Sequence, residues 1–92
     1  MEKPLRETDY CKVLAEGLTK IGEDISAVEK IYVKAAQRIE IRFAWYKEKG
    51  EKRRFIPRPL DLPEDELLEL LINGIEKDVF SKGFREKLKN YL

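Results

Sequence analysis

The stretch Arg38–Lys47, "RIEIRFAWYK", limits the possible folds more than any other part of this chain. Ile39, Ile41, Phe43 and Trp45 alternate with Arg38, Glu40, Arg42 and Ala44. Side chains two apart share one face of a strand, so a period of two over eight residues predicts a β-strand with an apolar side. That side is expected to pack on helices, and the charged side to face water.

The flanking segments extend this picture. "KEKGEK" predicts a turn around Gly50. "RRFIPRP" then predicts a shorter strand at a sheet edge, because Pro57 and Pro59 cannot donate to a ladder. Upstream, Ser26–Gln37 matches two periods. Ser26 with Glu29 suits a helix start, whereas "KIYVK" alternates and carries β-formers. A strand with Ile31 and Val33 on one side is the stronger match. Residues 8–21 read as an amphipathic helix capped by Thr8. Tyr10, Val13, Leu14, Leu18 and Ile21 would form its apolar face, and Gly22 its stop.

After the strands come two helices. Asp61 with Glu64 forms a capping box, and Pro63 suits the first turn. Leu67, Leu68, Leu70, Leu71, Ile72 and Ile75 spread over an arc of roughly 200° at about 100° per residue. One neighbour needs only about half that width. The helix is therefore expected to touch the sheet and also the last helix or another chain. Ser81 starts a short terminal helix with the stripe Phe84, Leu88 and Tyr91. The predicted fold class is α+β. It has a small antiparallel sheet of two or three strands with helices on one face, in the order α-β-β-(β)-α-α, as one domain over residues 1–92.

Chemistry is sparse. The chain has no histidine, the commonest general base and transition-metal ligand. Cys11 is the only cysteine, so neither an internal disulfide nor a structural zinc site is expected. It falls on the apolar side of the expected first helix, where a buried thiol would be inert. The five glycines are isolated and form no phosphate loop. Asp61, Glu64, Asp65, Glu66 and Glu69 have the wrong spacing for a calcium loop and read as helix capping and solvated surface. The expectation is a protein that is not an enzyme and has no cofactor or metal. "MEKPLRETDY" lacks an apolar signal core, and no run approaches a membrane span. A cytoplasmic setting without a membrane partner follows as an expectation.

Charge patterning points to partners. Lys47, Lys49, Lys52, Arg53, Arg54 and Arg58 against Glu48 and Glu51 leave a local +4, and the acidic run after Leu60 is −5. The two runs can cancel within one chain or between copies. The first functional expectation is a non-catalytic interaction module that binds another protein or a second copy, through Leu70, Ile72 and Tyr91. The alternative is a nucleic-acid accessory protein that uses Lys52, Arg53, Arg54 and Tyr46, since basic and aromatic side chains track phosphates and stack bases. A net charge of only +1 weighs against it. "RPLDLP" reads as a stiff connector, because it leads directly into a helix.

Overall fold

A computed structural model describes residues 3–92. Five strands form one antiparallel meander in sequence order. They are β1 (Arg6–Glu7), β2 (Cys11–Ile21), β3 (Asp24–Val33), β4 (Arg38–Lys49) and β5 (Lys52–Ile56). Two helices follow, α1 (Glu64–Glu76) and α2 (Lys82–Lys89). The sheet curls into a half-barrel. The expected order α-β-β-(β)-α-α with two or three strands is therefore wrong. The chain is β-rich first and helical only at its end.

The first correction concerns residues 8–21, which form β2 and not a helix. β2 and β3 pair in antiparallel register, but the register shifts between Val13 and Ala15. This bulge at Leu14 moves the alternation by one residue. Cys11 and Val13 face inward before it, and Glu16 and Leu18 after it. The slip turns a two-residue period into apparent spacings of three and four. Thr8 still caps, but it caps a turn. Its Oγ1 accepts from the Tyr10 and Cys11 amides, both at 3.2 Å. Gly22 has φ +61°, the left-handed conformation of the tight β2–β3 turn.

The second correction is one of sides. In β4, Arg42 and Ala44 face the inside of the half-barrel along with Tyr46, whereas Ile39, Ile41 and Phe43 face outward and are exposed. Trp45 shares that outer face, and its indole N–H donates to Asp24 at 2.9 Å. The alternation marked a strand correctly but assigned the interior to the wrong half of it.

Two small apolar clusters line the inside, one around Cys11, Val13, Ile31 and Val33 and one around Ile25, Ala27 and Ala44. A third lies on the outer face, where Val28 meets Leu70, Val79 and Phe80. α1 sits over β2 and β3 and comes nowhere within 8 Å of β4, Cα to Cα. Its approach depends on Gly17 facing Gly74, and Asn73 Oδ1 accepts the Leu18 amide at 2.7 Å. That bond satisfies a donor on the free edge of β2. α1 starts after Pro63 without a side-chain cap, so Asp61 does not form the expected capping box. Ser81 does cap α2, accepting the Phe84 amide at 3.1 Å.

Candidate functional site

The inside of the half-barrel holds the densest polar cluster. Glu29 is fully buried. It accepts from Arg6 Nη2 at 2.8 Å, Arg42 Nε at 2.7 Å and the Tyr46 hydroxyl at 2.6 Å. Glu16 lies directly across the ladder from Glu29. Like charges in that position repel, and Arg6 bridges them by also donating to Glu16 at 2.6 Å. Arg53 of β5 reaches Glu16 at 3.3 Å and sits 4.7 Å over the Tyr46 ring. Glu16 thus joins β1 to β5, the two edge strands of the meander, through side chains.

The charges follow this geometry. Burial alone would raise the Glu16 carboxyl. The hydrogen bond from Arg6, with the charges of Arg6 and Arg53, outweighs it and holds the group below its ordinary value. Burial, the hydrogen bond to Glu29 and the charge of Glu29 push the Tyr46 hydroxyl up. A carboxyl lowered in the fold adds stability above its unfolded value near pH 4.3, and that stability is lost as pH falls through the folded value. Glu16→Gln should therefore flatten the loss of stability between about pH 5 and pH 3. Urea midpoints across that range test this, and parallel curves for parent and variant would refute the clasp.

The carboxylates of this cluster are satisfied, while the buried Nε of Arg53 has no hydrogen-bond partner. Every carboxylate oxygen of Glu16 and Glu29 has an arginine or tyrosine partner. It has no vacant acid–base pair facing solvent, and no group of three metal-ligating side chains occurs among the described residues. The side chains of the cluster link all five strands, Arg6 of β1, Glu16 of β2, Glu29 of β3, Arg42 and Tyr46 of β4 and Arg53 of β5.

The open surface is on the other face. Ile39, Ile41 and Phe43 form an outward row on β4, at 48%, 41% and 48% exposure. Leu67 of α1 and Phe43 line a groove of about 490 Å³ together with Leu60, Asp61 and Leu62 of the connector. The crest of α1 continues the apolar surface with Leu68, Ile72 and Ile75, all exposed. The expected arc is thus divided. Leu70 is fully buried on Val28, while Ile72 lies on the side away from the sheet. The result is a groove between Phe43 of β4 and Leu67 of α1, next to the exposed β4 row of Ile39 and Ile41. No family model, no curated protein and no solved structure matches this chain.

The residues singled out in the sequence separate. Leu70 is core and unavailable to a partner. Ile72 is exposed on the crest of α1, away from the sheet and outside the groove lining, and Tyr91 lies just beyond α2 at 90% exposure. Tyr46 is buried with its hydroxyl on Glu29, and Arg53 is held by Glu16. Lys52 and Arg54 remain exposed on β5, with Arg54 on the opposite sheet face from Arg53. The basic and acidic runs do not cancel internally. Among the described residues, none of Asp61, Glu64, Asp65, Glu66 and Glu69 forms an ion pair, and hairpin cations pair only with Asp24 and Glu16. Sequence reasoning missed Ile39, Ile41 and Phe43 as surface, because it placed them in the core.

Proposed function

We propose that this chain is a non-catalytic protein-interaction module whose working surface is the groove between β4 and α1. The observation that carries this reading is the coverage of the sheet. α1 shields β2 and β3 only, so a row of three large apolar side chains on β4 stays bare beside an apolar helix flank. Contiguous exposed apolar surface rimmed by polar groups is characteristic of binding faces. A groove between a strand and a helix suits an amphipathic helix, whose apolar stripe reaches both. Binding energy would come from this apolar contact, and the charges at its rim would set orientation.

The nucleic-acid alternative has weaker support. Of the basic hairpin Lys47–Arg58, it must do without Tyr46 and Arg53, and the exposed Lys49, Lys52, Arg54 and Arg58 leave a short basic edge. Such an edge also protects a free strand from aggregation.

The groove can be tested without a known partner. At protein concentrations low enough to keep copies apart, the chain should enhance the fluorescence of an apolar dye such as anilinonaphthalene sulfonate. Phe43→Lys and Leu67→Lys, at the two sides of the groove, should each remove most of that signal. Both should leave stability within about 0.5 kcal/mol, as for ordinary surface substitutions. A clear loss of stability would show these side chains to be core, and the interaction reading would fail.

A further inference from the structure

Resting on that reading, we infer that the helix the groove accepts is α2 of a second copy, exchanged reciprocally so that each chain covers the other's β4.

Three observations converge on α2. It lies beyond 8 Å, Cα to Cα, from every strand and from α1, so it projects from the body. Its apolar residues Phe84 and Leu88, with Tyr91 just past its end, fall on one side at 3–4 spacing and are exposed. Its own body leaves about half or more of that stripe exposed, Phe84 at 52%, Leu88 at 45% and Tyr91 at 90%. Val79 and Phe80 are buried under α1 and fix where α2 leaves, and Phe84 is stacked on Phe80 at 5.5 Å. The molecule thus carries a groove lacking a helix and a helix lacking a groove.

Charge selects the second copy as the occupant. α2 carries Lys82, Arg85, Lys87 and Lys89 against Glu86 alone. The only ion pair that α2 makes among the described residues is Lys82 with Glu86 at 3.9 Å. Asp61 lines the groove, and the acidic first turn of α1, Glu64, Asp65 and Glu66, directly precedes its wall residue Leu67; none of the four forms an ion pair among the described residues. A basic-flanked apolar helix and an apolar groove with carboxylates beside it, on one chain, are mutually complementary. A two-fold axis satisfies both twice and closes the assembly at two copies. The cations of α2, drawn to the carboxylates beside the groove, steer the helix, and Phe84 and Leu88 supply the apolar contact.

The test uses the full chain, in which Cys11 is buried. Phe43→Cys and Leu88→Cys are prepared separately, mixed, and treated with a short bis-maleimide. The expected result is a mixed dimer several-fold more abundant than either self-linked dimer. In parallel, the parent chain should sediment as a dimer and Leu88→Lys as a monomer. Two results would overturn the inference. One is a linked monomer from the Phe43→Cys/Leu88→Cys double variant, which would mean that α2 folds back on its own groove. The other is a parent that sediments as a monomer with no mixed crosslink. If the dye signal still depends on Phe43 in that second case, the groove reading survives and the partner is a different protein. If the dye signal is also absent, both fall.

Discussion

Glu29→Ala should lower the unfolding free energy by about 3–5 kcal/mol, the usual result of removing one member of a buried ion network. The carboxylate is inaccessible to water and anchors Arg6, Arg42 and Tyr46 at 2.6–2.8 Å. Its loss leaves the guanidinium groups of Arg6, Arg42 and Arg53 in the cluster with only Glu16 to offset them. Tyr46→Phe should have a smaller effect, about 1.5–3 kcal/mol, because it removes a single hydrogen bond to a charged group. Urea denaturation of parent and variants measures both. A change below about 1 kcal/mol for Glu29→Ala would mean that water replaces the carboxylate and that the network does not hold the curl.

The second large effect is expected at Gly17. A methyl group there would sit 2.5 Å from the Cα and N of Gly74 and 2.9 Å from the carbonyl carbon of Asn73. All three are backbone atoms, so no side-chain rotation relieves the clash. α1 would have to lift from β2. That would stretch the bond from the Leu18 amide to Asn73 and loosen Leu70 from Val28. Gly17→Ala should therefore cost about 3 kcal/mol, in the upper range for overpacking. Gly83 is the matched control. It lies in α2 with nothing within 4 Å of the added carbon, so Gly83→Ala should stabilise by roughly 0.5–1 kcal/mol through helix propensity. If both variants shift the urea midpoint in the same direction, close packing of α1 on β2 is not what limits Gly17.

The two predictions expose different limits of the sequence. Gly17 and Gly74 are 57 positions apart, and neither neighbourhood marks a close approach. Glu29 presents as half of a capping box with Ser26, a plausible local role that the tertiary partners override. Residues 8–21 misled for a physical reason, since the bulge at Leu14 breaks the two-residue period that identifies strands. The hairpin around Gly50, the edge strand ending at Pro57 and the Ser81-capped terminal helix were legible. Each depends on chemistry within a few residues, namely a left-handed glycine, a missing amide hydrogen and a hydroxyl cap.

The candidate groove shows the same division. Local pattern alone established that β4 alternates and that α1 is apolar over too wide an arc for one neighbour. Only the tertiary structure decided which half of β4 faces inward. Hydropathy favours the isoleucines, but the curl places Arg42 beside Glu29 and gives each buried charge a partner from a distant strand. Because those partners satisfy the charges, Ile39, Ile41 and Phe43 remain on the surface, where α1 is too short and too far toward β2 to cover them.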